Sequence, residues 1–342
     1  MGTKDEHRTF RPATVDDIHA AAELFNARSR FFYGEDQIEA EKMLGWWKGS
    51  QLNLETDTWS CWDEQGKMIG WAEVENPGSP HIQIECGVIL HPIAMADTTL
   101  WDELIQWGEA RCREYIPRAP EGARVAAIGI ALLVDEHRRQ AWRRNGYEQV
   151  RISNRMRIDF ADAPVSPKPV WPEGIELRPF HQEQDLERLI TACREAFRDH
   201  WGYVEQPFEQ DLTRRREWIR SLGKDFDPSL WFMAVDQASG EIAGFCLCDR
   251  QISGDHTRGY VASFGVRDSY RRQGLGLALL HHSFAELRRR GRTAVELDMD
   301  SENLTGALRL YTRAGMRPIR QIYTFEKELR PGTDLVRRSL DF

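Results

Sequence analysis

The basic loop at residues 271–276 has the composition of an anion-binding site. It contains Arg271 and Arg272, and it joins an apolar run typical of a buried strand (261–266) to a helical pattern of apolar residues. Gly274 and Gly276 lack a Cβ, so ligand oxygens can approach the backbone amides closely. The first turn of a helix adds unpaired N–H groups and a partial positive charge. Together with the forked arginine donors, this loop suits a pyrophosphate.

A second polar pattern follows the next predicted strand, at residues 295–299. Asn303, Ala307 and Tyr311 recur every four residues, so a helix would place them on one face. An amide, a small residue and a phenol along one face suit a groove that holds a thin, partly polar chain. A phenol of pKa about 10 can protonate a leaving thiolate, whose conjugate acid has a pKa of about 8.5. The structural alternatives are a packed core tyrosine at position 311 and a helix cap at Asn303.

Two common nucleotide motifs are absent from the sequence. There is no GxxxxGK[ST] segment, which excludes a P-loop NTPase, and the RxxGxG pattern differs from the GxGxxG fingerprint of dinucleotide-binding domains. The RxxGxG pattern alone also fits a solvated basic turn, so the second pattern downstream is needed to assign it.

Arg271-x-x-Gly274-x-Gly276 after a strand, followed by the Asn303 to Tyr311 pattern, resembles the two signatures of the GNAT acetyltransferases. The resemblance implies an N-acetyltransferase that uses acetyl-CoA. It assigns catalytic roles to Tyr311, as the general acid, and to Phe264, whose backbone N–H would polarise the thioester carbonyl. It assigns binding of coenzyme A to Val266, Arg271, Arg272, Gln273, Gly274, Leu275, Gly276 and Asn303.

The chain runs twice through one order of elements, on either side of a proline-rich segment at 162–174. We therefore expect an α/β protein of two tandem GNAT-like domains, 1–161 and 175–342, joined by this linker. Each would hold a mixed, mostly antiparallel sheet flanked by helices, with one parallel βαβ crossover. The helices are expected at 16–26, 39–48, 185–197 and 208–222, and the paired strands at 58–62, 68–74, 231–235 and 242–248.

The first copy is expected to be degenerate and structural. Its loop at 91–97 has no glycine and no arginine, and Trp142 and Val134 align with Tyr311 and Asn303. Among tandem members of the family, this layout resembles the mycothiol synthase type, in which the C-terminal copy is the catalytic one.

The general base is open at this stage. In the family a strand glutamate often serves, but residues 261–266 contain no carboxylate. The candidates are Asp255, His256, His200, Glu205 and Glu209, and a chain of water molecules would also serve. The aromatic loop at 197–208 is either a wall of the acceptor site or ordinary packing.

The composition limits the kinds of partner molecule that the chain is expected to bind. The 342 residues carry a net charge of −8, which disfavours nucleic acid, and two arginine clusters (214–216 and 288–290) are typical of solvated helix faces. No signal peptide, membrane-spanning run or metal-binding motif is visible, so we expect a cytoplasmic monomer or homodimer without a metal. The six cysteines are expected to be reduced structural thiols, with Cys246 and Cys248 on opposite faces of a strand.

The expected acceptor is a primary amine of a small molecule. Acetylation of a protein or peptide amine and a non-catalytic acyl-CoA sensor are the alternatives. Tyr311 argues against the sensor, because a protein that only binds the donor has no use for an acid.

Overall fold

The computed structural model describes residues 8–49, 52–76, 78–162, 168–223, 226–252, 255–300 and 306–338. Within these ranges the strands are β1 (Thr9–Arg11), β2 (Thr58–Trp62), β3 (Met68–Glu75), β4 (Gln83–Leu90), β5 (Val125–Leu132), β6 (Glu148–Asp159), β7 (Ile175–Pro179), β8 (Trp231–Asp236), β9 (Ile242–Asp249), β10 (Arg258–Val266), β11 (Ala294–Asp300) and β12 (Arg317–Arg330). The helices are α1 (Ile18–Tyr33), α2 (Ala40–Gly49), α3 (Leu54–Asp57), α4 (Thr98–Glu114), α5 (Glu136–Arg144), α6 (Gln182–Phe197), α7 (Phe208–Leu222), α8 (Leu275–Arg289) and α9 (Ala307–Arg313).

The chain folds into two compact units, and each unit includes a strand from the other half of the sequence. The first unit comprises Met1–Ile152 and Gln321–Leu335, and the second comprises Ser153–Arg320 and Val336–Phe342. These bounds differ from the domains 1–161 and 175–342 expected from the sequence. The difference arises because strand pairing, rather than position along the chain, decides which unit holds a strand. Of the expected linker, residues 163–167 lie outside the described residues.

The sheet of the first unit has the order β1, β2, β3, β4, β5, β12. Its neighbours are antiparallel except for β4 and β5, which are parallel. Strand β12 is integral to this unit, because the Phe325 side chain is fully buried and Lys327 Nζ lies 2.5 Å from Glu109 Oε2 on α4.

The sheet of the second unit has the order β7, β8, β9, β10, β11, β6. Only β10 and β11 are parallel, and residues 153–159 of β6 pair antiparallel with β11. Two bonds between the Arg155 guanidinium and the Asp298 carboxylate, 2.5 and 2.8 Å long, join these two strands. The predicted fold class is confirmed, with mixed sheets flanked by helices.

The two units share a local feature at their first helix. In the first unit Arg11 of β1 makes paired hydrogen bonds to Asp17, at 2.6 and 2.7 Å, at the start of α1. In the second unit Arg178 of β7 makes the same paired bonds to Asp185 of α6, at 2.7 and 2.6 Å. This repeated contact supports the duplication that the sequence indicates.

The second unit buries a core on each face of its sheet. Along β9, Phe245 and Leu247 pack with α6 and α7, whereas Cys246 and Cys248 pack with α8. The Cys246 and Cys248 sulfur atoms lie 3.7 Å apart, so the expectation of opposite faces was wrong. Residues two apart in a strand share a face.

Candidate active site

Strands β10 and β11 separate along their length. They pair only from Arg258 and Ala294 to Tyr260 and Glu296, although β10 continues to Val266 and β11 to Asp300. On its other edge β10 stays paired with β9 as far as Val266 and Gly244. Among the described strands, the edge of residues 261–266 that faces β11 therefore has no partner, and a groove opens there.

The backbone of Phe264 and Val266 faces this groove. The Arg267 N–H donates to the carbonyl of Ala243 in β9, at 3.0 Å. Backbone groups alternate in direction along a strand, so Phe264 and Val266 direct theirs away from β9. The Val266 carbonyl accepts a hydrogen bond from Arg271 Nε at 3.1 Å, which leaves its N–H for a bound chain.

The loop before α8 presents a row of bare amides, meaning backbone N–H groups without a hydrogen-bond acceptor among the described residues. The N–H groups of five consecutive residues have no acceptor among the described residues: Arg272, Gln273, Gly274, Leu275 and Gly276. Gly274 takes a left-handed conformation with φ of +88°, and a Cβ there would meet open space. Successive N–H groups with left-handed turns form a concave anion site. This observation fits a pyrophosphate.

The two arginines of the loop differ in what they contact. Arg271 donates to the carbonyls of Val266 and Ala196, the latter at 2.9 Å, and forms an ion pair with Asp268. Its side chain thus ties α6 to the loop. Arg272 is exposed and has no ion-pair partner among the described residues. Of the two arginines, Arg272 is therefore the one whose charge is not paired within the described part of the chain.

Gly276 has a packing role. A Cβ at this position would lie 3.1 Å from Leu310 of α9 and 3.3 Å from Phe264 of β10. The sequence predicted that both glycines open the backbone to a ligand. A Cβ at Gly274 would meet open space, whereas Gly276 allows α8 to pack closely, so a role in opening the backbone to a ligand stays a prediction for Gly274.

Tyr311 lies beside this groove on α9. Its ring meets the Phe264 ring edge to face, with centroids 6.0 Å apart, and only 8% of the residue is exposed. Burial raises the pKa of the Tyr311 phenol. Its hydroxyl has no hydrogen-bond partner within the described part of the chain. Asn303, the other predicted residue of this pattern, lies outside the described residues.

A cavity of about 680 Å³ lies in the second unit between α6, α7 and the sheet. Each helix lines it with a face spaced i, i+3, i+4, i+7; these faces are Ile190, Cys193, Arg194 and Phe197 on α6 and Asp211, Arg214, Arg215 and Trp218 on α7. The sheet contributes Asp249, Tyr260, Ala262 and Ser263. A β-bulge at Ala262 lets two adjacent residues of β10 reach one cavity. The cavity therefore reaches the strand that carries Phe264.

Of the predicted base candidates, none lines this cavity. Asp255 accepts hydrogen bonds from Thr257, and Glu205 and Glu209 are exposed. The His200 ring packs 5.0 Å from Phe197, and burial together with Arg271 lowers the pKa of its imidazole. His256 is likewise not part of the cavity wall.

Two carboxylates that the sequence reasoning missed line the cavity instead. Asp249 lies opposite Tyr260 in the β9 and β10 register, and Asp211 lies on α7. The Tyr260 hydroxyl donates to Asp298 at 3.0 Å. The helical spacing of Asp211 with Arg214, Arg215 and Trp218 was a visible signal of one shared face. The position of Asp249 depends on strand register, which no local motif reveals.

The corresponding region of the first unit lacks these features. Asp97 caps α4 by accepting a 3.0 Å bond from the Leu100 N–H, and it pairs with Arg8. A carboxylate at a helix N-terminus repels a phosphate. Trp142 is fully buried against Gly129 and donates to the Ile130 carbonyl at 3.1 Å.

In the described ranges, no group of three or more His, Cys, Asp or Glu side chains could hold a metal ion. None of the helices seen there is both long and apolar enough to cross a membrane.

Comparison of sequences finds a consistent set of relatives. The profile of the Acetyltransferase (GNAT) family matches residues 189–316. A mycothiol acetyltransferase of Stackebrandtia nassauensis is 28% identical over 264 residues, which cover 74% of this chain and 76% of that relative. Other proteins with that name match over about half of their own length.

Comparison of structures extends the likeness to nearly the whole chain. A GCN5-related N-acetyltransferase from Sphaerobacter thermophilus has a TM-score of 0.82 and 32% identity, over 97% of this chain and 99% of its own. A tandem GNAT protein from the clavulanic acid biosynthesis pathway has a TM-score of 0.71 over 95% of this chain and 99% of its own. At 13% identity, this second likeness concerns the fold alone.

Proposed function

Because this chain belongs to the GNAT family of N-acetyltransferases, we propose that its second unit transfers an acetyl group from acetyl-CoA to a primary amine of a small molecule. The observation that carries this proposal is the row of bare amides before α8, beside a groove that holds Phe264 and Tyr311.

The binding roles follow from these contacts. The amides from Arg272 to Gly276 hold the pyrophosphate, with the Arg272 side chain as a counter-charge. The Val266 N–H binds the pantetheine arm in the groove, as a strand partner would. Each charge-assisted hydrogen bond contributes about 1.5–3 kcal/mol.

The proposed reaction uses the Phe264 backbone of β10, the Tyr311 phenol of α9 and the cavity between α6, α7 and the sheet. The bound donor supplies a thioester. The Phe264 N–H donates to the thioester carbonyl and stabilises the charge that develops on its oxygen. The amine attacks from the cavity side and forms the new C–N bond, the C–S bond breaks, and Tyr311 gives its proton to the departing sulfur. The amine has a pKa of about 10.4, so it must also lose a proton before or during attack.

The cavity favours a small acceptor. Its volume of about 680 Å³ lies within the range of about 300–1,000 Å³ that small-molecule sites occupy. The relatives named mycothiol acetyltransferase make small-molecule amines the first acceptors to test. A protein or peptide amine is the second candidate, favoured by the aromatic residues Phe197, Tyr203 and Trp218 in the cavity wall.

The test is release of coenzyme A thiol from acetyl-CoA across a panel of amines. The panel contains cysteinyl pseudodisaccharides, aminoglycosides, amino acids and peptides. We expect at least one small amine to accelerate release well above hydrolysis, with a product heavier by one acetyl group. A protein that binds acetyl-CoA but acetylates nothing in this panel would instead be the acyl-CoA sensor.

A further inference from the structure

Arg215 is a cation in the wall of the cavity without an anionic partner. It is half-buried on α7, and its guanidinium carbon lies 4.9 Å from the centre of the Trp218 ring. Among the described residues, its hydrogen bonding is limited to a 3.9 Å approach of Nη2 to the Cys193 sulfur. Among the described residues, no carboxylate lies within 4 Å of it. Most of the guanidinium donors therefore remain for a ligand.

The groups nearest to Arg215 do not neutralise it. Asp211 is one turn away on α7, but its Oδ2 accepts from Arg194 and its Oδ1 from Arg214, both at 2.6 Å. Burial raises the pKa of the Cys193 thiol to about 11, so that sulfur is uncharged at neutral pH. Within the described part of the chain, no carboxylate thus compensates the charge of the Arg215 guanidinium.

The geometry points to an acceptor that carries a carboxylate as well as its amine, and we propose that Arg215 binds this carboxylate. The proposal rests on the proposed function, since it concerns the acceptor of that reaction. The Trp218 ring lies against the guanidinium, and the planar fork of guanidinium donors suits paired bonds to the two carboxylate oxygens. Amino acids and short peptides belong to this chemical class.

The other end of the cavity suits the amine. Ala262 and Ser263 adjoin Phe264 on β10, where the thioester carbonyl is proposed to bind, and Asp249 lies on the neighbouring strand. An acceptor that spans from α7 to β10 would place its carboxylate against Arg215 and its amine near Asp249.

The experiment compares acids with their amides as acceptors for the full-length protein. The probes are L-phenylalanine with L-phenylalaninamide and L-methionine with L-methioninamide, assayed for kcat/KM at pH 7.5. We expect each acid to exceed its amide by roughly 10- to 100-fold. The amide has the less basic amine and reacts more readily, so a preference for the acid reports recognition rather than amine ionisation.

Variants of Arg215 test the assignment to this residue. Arg215→Ala should abolish the preference for acids, and Arg215→Lys should retain part of it because the charge stays while the fork is lost. Arg216→Ala is the matched control, because Arg216 is the next residue on α7, is exposed and does not line the cavity. Circular dichroism of all variants checks that they fold.

Two outcomes would overturn the inference and leave the proposed function intact. A binding measurement tests the inference separately if no amine is acetylated. Equal use of acid and amide shows that the acceptor needs no carboxylate, and a preference that survives Arg215→Ala shows that Arg215 does not bind it; amine acetylation itself stands in both cases. Where no amine is acetylated, calorimetry with the coenzyme A complex decides: tighter binding of acid than amide, lost in Arg215→Ala, supports the anion site, and equal binding rejects it.

Discussion

Tyr311 of α9 packs edge to face against Phe264 of β10, with the ring centroids 6.0 Å apart. The contact lies where β10 has left its partner β11, beyond Tyr260. It brings a phenol next to the backbone N–H that is proposed to polarise the thioester. Because burial raises the pKa of Tyr311, the phenol stays protonated at neutral pH and can donate. A buried phenol and the proposed oxyanion donor thus adjoin one groove.

Replacing Tyr311 with phenylalanine tests the acid. We expect Tyr311→Phe to lower turnover by roughly 10²–10⁴-fold, the usual range for a lost acid or base. The affinity for acetyl-CoA should change little, because the bare amides and not the phenol hold the donor. Steady-state kinetics and calorimetry measure the two quantities separately.

Tyr147→Phe is the matched control for that variant. Tyr147 is also a buried tyrosine whose hydroxyl has no hydrogen-bond partner among the described residues, but it belongs to the first unit. Its removal should leave turnover unchanged. Equal turnover of Tyr311→Phe and the wild type would remove Tyr311 from the mechanism.

The loop before α8 predicts one donor site per chain. Gly274→Glu should abolish binding of acetyl-CoA, because it adds a negative charge and forces a side chain into a left-handed position with φ of +88°. Asp97→Ala, at the corresponding helix of the first unit, should leave binding unchanged. Calorimetry should give a stoichiometry near one for the wild type.

Gly291→Glu controls for the backbone cost of that substitution. Gly291 has φ of +81° and open space around it, but it follows the C-terminal end of α8. It should lose stability of about 1–2 kcal/mol without loss of affinity. Two equivalent sites, or binding that survives Gly274→Glu, would contradict the single site.

The sequence reasoning succeeded where a function depends on a short local segment. The loop at 271–276 and the strand before it are contiguous, so turn chemistry and apolar pattern were enough to locate them. The bounds of β2 and α7 were also predicted, since each is a short element with an uninterrupted pattern.

The reasoning failed where contacts join distant parts of the chain. The side chain of Arg271 binds the Ala196 carbonyl, 75 residues earlier, a contact that the local pattern did not reveal. The cavity wall at Asp249 depends on strand register. Which unit holds β6 and which holds β12 depends on which strand edges pair. The order of elements along the chain would be the same for either pairing, so the sequence pattern does not reveal the exchange.

The half-buried carboxyl of Glu73 predicts a pH-dependent stability. Burial raises its pKa from 4.5 to about 7, although the Trp71 indole donates to it at 2.9 Å. A raised pKa means that the folded state holds the proton more tightly than the unfolded state. This contribution to stability is fully present below about pH 4.5 and is lost as the pH rises through about 7.

Glu73→Gln removes this titration and keeps an acceptor for Trp71. We expect the variant to match the wild type near pH 4.5 and to be more stable at pH 8 by about 1–2 kcal/mol, a value discounted for partial exposure. Urea unfolding at both pH values measures the difference. Glu121→Gln, at an exposed glutamate, should show no such change. An equal effect of Glu73→Gln at both pH values would mean that Glu73 does not titrate in this range.

The exchanged strands predict that the second half of the chain cannot work alone. A fragment of residues 169–342 lacks residues 153–159, which pair with β11, and it retains β12 without β5. It also loses Arg155, which bonds to Asp298 and lies 3.3 Å from the buried Glu296. Open strand edges invite aggregation, so we expect an insoluble or inactive fragment.

The control is residues 1–162 co-expressed with 168–342, which keeps every described strand and should give a soluble, active pair. Gel filtration and the coenzyme A release assay compare them. A soluble, monomeric 169–342 fragment with full activity and an unchanged acceptor preference would show that neither the exchanged strand nor the first unit is needed.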